Sequence, residues 1–316
     1  MKVSSLIAVI CCVPLCFTAQ VTEQFILDNL KKYSPSTYFV IATYEQNGPS
    51  ISFGGRTVTV GMRHLEFCDL SSKERFLTTI STTVHETVHA LDSQLPIMQA
   101  KTTGKDPRMT QDEGFYIDET TRLVYSFPKN NLFSARVLAS SIPTSLRTFR
   151  YYSYIETKHL NQSTQVEGVV GLMEEFNAYY HGAKVIFDFL PLFKDTYGDN
   201  FLWHWSSGFT SNADAFYEFD FFIKEYLLYA QINYPELYGE LKNDVAFKAI
   251  YKLIRTKFNA MIIEYERKYD AFTLTAKQSN GLNISTEKHS KSIFPILAVQ
   301  LKSNRYDEIN KVFLGN

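Results

Sequence analysis

Residues 71–95 read SSKERFLTTISTTVHETVHALDSQL, an unbroken run without Gly or Pro, and Pro96 follows at once. The run predicts a helix that starts at a Ser71 or Ser72 cap, with Glu74 at capping-box distance from Ser71, and that stops at Pro96. Leu77, Ile80, Val84, Val88, Leu91 and Leu95 recur at steps of three and four and form one apolar stripe. His85, His89 and Asp92 fall on the adjacent stripe, about 100° round the helix. One face can therefore anchor the helix in a core while the next presents imidazoles to a cleft.

Within this helix, His85-Glu86-Thr87-Val88-His89 is an H-E-x-x-H. Two imidazoles four residues apart project from one face, where both can ligate a single Zn²⁺, and the glutamate between them can take a proton from water at the metal. The competing reading is a pair of buried histidines bonded to backbone, with Glu86 exposed. That reading explains neither the pairing nor the separation of the two faces.

A hydrolytic zinc site needs a third protein ligand and one position left open. The residues after the motif, Ala90-Leu91-Asp92-Ser93-Gln94-Leu95, lack the Gly and His of a metzincin. Asp92 lies so close to the motif that a supporting contact to His89 is expected of it rather than ligation. A downstream glutamate remains. Residues 165–190, QVEGVVGLMEEFNAYYHGAKVIFDFL, predict a long helix that stops at Pro191 and offers Glu174 and Glu175. Gly168, Gly171, Glu175, Ala178 and Gly182 share a stripe of small residues with one carboxylate in its middle. Glycine costs about 1 kcal/mol per helix position relative to Ala, so such a stripe suggests a close helix approach. The pattern favours Glu175 as the ligand, with Glu174, on a more polar face, as the alternative.

His85-Glu86-x-x-His89 followed by a distant Glu-x-x-Ala resembles the zincin metallopeptidases of the gluzincin type. Residues 85–92, HETVHALD, are similar to the H-E-x-x-H-A-x-D of the anthrax lethal factor group, whose ligand glutamate also opens a Glu-Phe-x-Ala like Glu175-Phe176-Asn177-Ala178. The resemblance covers two helices only. It implies a zinc peptidase in which His85, His89 and Glu175 hold the metal. Glu86 takes a proton from the attacking water and delivers it to the leaving amine. Two features depart from the family: the His89–Glu175 gap is long, and no tyrosine lies from Ile155 to Ala178, where relatives carry one that steadies the oxyanion. Tyr154, Tyr179 and Tyr180 are the nearest candidates for that work.

The rest of the chain supplies the setting. Residues 1–19, MKVSSLIAVICCVPLCFTA, read as a secretory signal peptide, which predicts a secreted or periplasmic protein. Three of four cysteines lie in that segment, leaving Cys68 as a small hydrophobe and no internal disulfide in the exported chain. With 32 Lys and Arg against 33 Asp and Glu, nothing invites nucleic acid, and no later stretch is apolar enough to span a bilayer. Asn161-Gln162-Ser163 and Asn283-Ile284-Ser285 fit glycosylation acceptors. Tyr38–Glu45 and Arg56–Gly61 alternate like strands around Asn47-Gly48-Pro49 and Gly54-Gly55 turns, and a hairpin is expected near Asp118-Glu119, overhanging the cleft. The aromatic runs Phe201–Trp205 and Phe216–Tyr229 are expected to fill a helical core rather than a subsite with His204.

The chain is thus expected to be α+β and zincin-like, with a small N-terminal β-containing lobe followed by a predominantly α-helical lobe. Residues 20–316 form one catalytic domain: residues 20–103 carry strands and the H-E-x-x-H helix, 104–130 are an insertion, and 131–316 bring the third ligand. The expected substrate is a peptide or protein. A catalytically silent zincin-like binding protein is the alternative, as is an aromatic-rich recognition protein in which the motif is accidental.

Overall fold

The computed structural model describes residues 21–60, 63–108, 111–127, 131–280 and 295–315. The expected signal peptide, Gly61, the Asn283 acceptor and His289 lie outside the described residues. The architecture is mainly helical with two small antiparallel hairpins, an α+β arrangement.

Two helices, α1 (Glu23–Tyr33) and α2 (Pro35–Asn47), come first among the described residues. The alternating segment Tyr38–Glu45 is therefore not a strand. Pro35 enters at the first turn of α2, where its missing N–H costs nothing, and Gly48 ends the helix at φ 70°. Between those two stops Val40, Ile41 and Tyr44 are buried, α2 packing on α3, and that burial overrides their β-propensity. The strand expected over Arg56–Gly61 is seen as β2 (Arg56–Thr59), paired with β1 (Ser50–Phe53) across the Gly54-Gly55 turn.

Helix α3 (Lys73–Thr103) begins at Ser72, whose hydroxyl accepts from the Arg75 amide at 3.2 Å. Its apolar stripe is buried throughout, from Leu77 to Leu95. The helix does not stop at Pro96 but runs through it to Thr103. Proline deprives the Asp92 carbonyl of its helical N–H. That same carbonyl is where β3 (Asp112–Asp118) crosses: a Cβ on Gly114 would stand 2.1 Å from the Asp92 oxygen. Tertiary packing on both sides of the proline holds the helix together, and only glycine fits the crossing.

β3 pairs with β4 (Thr121–Ser126), so the hairpin expected near Asp118-Glu119 is present. Rather than overhang a cleft, β3 lies against α3 with Glu113–Ile117 buried. The segment expected as one helix over Gln165–Leu190 is divided into α4 (Ser163–Val166), a break at Gly168 (φ 53°) and α5 (Gly168–Asp188). Pro191 sits in the first turn of α6 (Leu190–Tyr197) and starts a helix where a stop was expected. Then follow α7 (Phe201–Ala213), α8 (Ala215–Asn233), α9 (Pro235–Asn243) and α10 (Val245–Asn280).

Helix α5 is the centre of the molecule, packed on α3, α7, α8 and α10. Trp205, Phe209, Phe216, Phe219, Phe221 and Phe222 join it in one continuous core, as expected of the aromatic runs, but Trp203 of the first run is exposed. His204 stays out of that core and stacks on Tyr197 at 3.7 Å. Cys68 packs at the core's edge beside Thr79. Among the described residues no helix is long and apolar enough to cross a membrane.

Candidate metal centre

The facing sides of α3 and α5 meet at His85, His89 and Glu175. Gly182 lets the helices close: a Cβ there would be 3.1 Å from the Ser81 carbonyl oxygen. The rest of the small-residue stripe serves other contacts, Gly171 against the backbone of Ser163 and Thr164, and Gly168 against Phe133 and Tyr226.

His85 Nε2 and His89 Nε2 are 3.1 Å apart, and Glu175 Oε2 lies 3.4 Å from the first and 3.5 Å from the second. Ligands at about 2.0–2.1 Å in a tetrahedron are about 3.3 Å from one another. The three donors thus form one face of a tetrahedron of the size zinc requires. The side chains are deeply placed, His85 at 10%, Glu175 at 9% and His89 at 20% exposure. Glu175 Oε2 and His85 Nδ1 have no hydrogen-bond partner, an expensive condition for buried polar atoms. A cation between the donors would satisfy the carboxylate oxygen. Two neutral imidazoles and one carboxylate are the donor chemistry that suits a borderline divalent ion.

Around this triangle the carboxylates are unevenly matched by protons. Burial works against a charged His89, but Glu175 and Glu174 outweigh it and hold the imidazole well above its ordinary range. Burial would likewise raise Glu175, yet His89 and His85 hold it well below the usual carboxylate range. The site therefore draws in positive charge, as a proton or as a metal ion.

Glu174, the alternative ligand, takes a different place. Its Oε1 lies 3.0 Å from His89 Nδ1, on the far side of the ring from the triangle. A carboxylate there accepts the Nδ1 proton and leaves the Nε2 lone pair free to ligate. This is the support expected of Asp92, and Asp92 does not supply it. Asp92 instead accepts the Tyr116 amide at 2.6 Å and the Asn177 side-chain amide at 3.3 Å. Asn177 also donates to the Tyr116 carbonyl, which His181 Nε2 contacts at 2.9 Å. Asp92 therefore ties α3, β3 and α5 together one turn below the histidines. Burial pushes its carboxyl well up, with the Tyr116 amide opposing.

Glu86 is half-buried, one residue beyond His85. Tyr179 sets its ring edge-on to His85 at 4.4 Å, and its hydroxyl meets that of Tyr154 at 2.9 Å. Tyr154 belongs to a π-helical turn, Tyr151–Ile155. The Arg150 guanidinium stands 4.3 Å over the Tyr179 ring while Nη1 donates to Glu218 at 2.6 Å and Nη2 to the Ser211 carbonyl. Tyr180, the third candidate, packs elsewhere, against Phe258 and His181.

Sequence reasoning brought together His85, His89 and Glu175 but missed Arg150 and the roles of Glu174 and Asn177. The i and i+3 placement of Glu174 and Asn177 on α5 was a usable signal; nothing in the sequence marked Arg150. Two further His/Glu groups among the described residues hold donor atoms close together, Glu23–Glu45–His64 and Glu113–Glu167–Glu174. Comparison with protein-family models, with curated proteins and with solved structures returns no match to this chain.

Proposed function

We propose that this chain is an exported zinc-dependent metallopeptidase of the gluzincin type, with a zincin-like arrangement of its two ligand helices. The observation that carries the proposal is the donor triangle of His85, His89 and Glu175, with edges of 3.1, 3.4 and 3.5 Å on an H-E-x-x-H helix. Zinc held by these three side chains supplies a Lewis acid that polarises a scissile carbonyl and acidifies a water.

The chain's own groups do the remaining work. Glu86 takes the proton from the attacking water and passes it to the leaving amine nitrogen as the C–N bond breaks. Glu174 orients His89 through Nδ1 and fixes its tautomer. Tyr179, edge-on to His85 and hydroxyl to hydroxyl with Tyr154, is the nearest phenol suited to donate to the carbonyl oxygen as negative charge develops there. Arg150 adds a fixed positive charge behind Tyr179. The substrate class this machinery serves is a peptide or protein.

The test is zinc content together with cleavage of a mixed peptide library, for wild type and Glu86→Gln. One zinc in this site in both proteins, with cleavage in wild type alone, supports the proposal. Zinc in both with cleavage in neither would turn the reading into a silent metal-binding protein. A folded sample that takes up no zinc would overturn it.

A further inference from the structure

His64 comes together with Glu23 at the start of α1 and Glu45 near the end of α2. His64 Nε2 lies 3.1 Å from Glu45 Oε1 and 3.4 Å from Glu23 Oε1. Neither contact meets the geometry of a hydrogen bond, and Nε2 is buried without a hydrogen-bond partner. One N–H can point along only one line, so a proton on this imidazole cannot serve both carboxylates. One ligand atom from each of the three side chains lies within 4.8 Å of the other two, close enough to share one ion. The imidazole is held firmly, at 12% side-chain exposure, while Glu45 at 30% and Glu23 at 51% open toward solvent that can complete a coordination shell.

Glu45 lies in the last turn of α2, which contains no basic residue, so this carboxylate stands at the negative end of one helix dipole, while Glu23 opens α1 at the positive end of another. A positive ion between them offsets the charge of the carboxylate pair.

We infer that His64, Glu45 and Glu23 form a second divalent-cation site, for zinc or an ion of similar size, that staples the start of α1 to the end of α2 and to the segment carrying His64. One nitrogen and two carboxylate oxygens fit a borderline ion with open positions for water. The ligands lie far apart in sequence, so the ion closes the N-terminal lobe and stabilises it without touching the groups of the α3–α5 centre.

The experiment uses the full chain and Zn²⁺ alone. Metal is removed with chelator, Zn²⁺ is added back, and stoichiometry is measured by elemental analysis beside the melting temperature. Wild type is expected to hold two zinc ions per chain and to show a second, weaker, saturable rise in Tm. His64→Ala and Glu45→Gln are each expected to hold one, with zinc affinity at this site reduced at least tenfold and peptide cleavage unchanged. Glu45→Gln keeps the shape of the side chain and guards against a folding failure of His64→Ala. In His85→Ala the second ion is expected to remain, which separates this site from the α3–α5 centre. Equal stoichiometry and equal Tm response in wild type, His64→Ala and Glu45→Gln would overturn the inference, as would a single ion lost only with His85→Ala.

Discussion

Asp220 on α8 and Glu175 on α5 are both carboxylates enclosed between helices, and their surroundings are balanced in opposite ways. Asp220 Oδ1 accepts from Tyr251 at 2.5 Å and Arg255 Nε at 2.9 Å, and Oδ2 accepts from Lys224 at 3.0 Å. Beside it Glu225 accepts two bonds from Arg305 and one from Tyr306, which docks the C-terminal segment. None of these groups is left over. Around Glu175 the partners are imidazoles whose lone pairs compete with the carboxylate for positive charge, and Oε2 remains unpartnered. A buried polar cluster that closes on itself fixes packing; one that ends on unpartnered acceptors can hold a cation.

The comparison breaks first at Glu175. Glu175→Ala is expected to lose the metal and to reduce peptide cleavage by at least about 10³-fold, while the melting temperature of the metal-free protein changes little. Zinc titration and single-turnover cleavage read this out. Unaltered zinc affinity in Glu175→Ala would mean that the triangle is not the binding site.

Asp220→Ala should do the reverse. Removing it leaves Lys224, at 1% side-chain exposure, as an uncompensated buried cation, and the expected loss is about 3–5 kcal/mol in urea unfolding. Metal affinity should be unchanged.

Glu174→Gln sharpens the contrast within the site itself. Glutamine cannot accept the His89 Nδ1 proton as a charged partner, so zinc affinity at the α3–α5 site is expected to fall about 10–100-fold with that site still filled at saturation. A complete loss of the metal would instead make Glu174 a ligand.

The smallest effect concerns pH. Burial pushes the His181 imidazole down to about 3 from its ordinary 6.5, the Tyr116 carbonyl opposing. The unfolded chain takes up this proton near pH 6.5 and the folded chain only near pH 3. Its contribution to stability is therefore complete above about pH 6.5 and is lost as pH falls toward 3, at up to about 1.4 kcal/mol per pH unit. His181→Asn should flatten the acid limb of the stability profile by up to one proton, measured as the change in slope between pH 6 and 4.

These contrasts also explain what could be read in advance. The meeting of His85 and His89 was legible because it is local: a period of four on one helix sets the geometry before any tertiary contact forms. The buried stripe from Leu77 to Leu95 was legible for the same reason. Glu175 was distinguished from Glu174 by the stripe of small residues, although of its three glycines only Gly182 meets α3.

Long-range packing decided the rest. Tyr38–Glu45 alternates like a strand, and its burial against α3 makes it a helix. Pro96 should end α3, but β3 crossing at Gly114 and the core on either side keep the helix continuous. Helical spacing alone sets Asp92 near His89; the Tyr116 amide, 24 residues on, claims it, and Glu174 takes the task. The sequence by itself determined which side chains could share a metal, because helical spacing is a property of neighbours. The tertiary structure alone decided which groups steady the triangle, Glu174 behind His89 and Asn177 with Asp92, because those distances exist only once α3 and α5 are pressed together by the core.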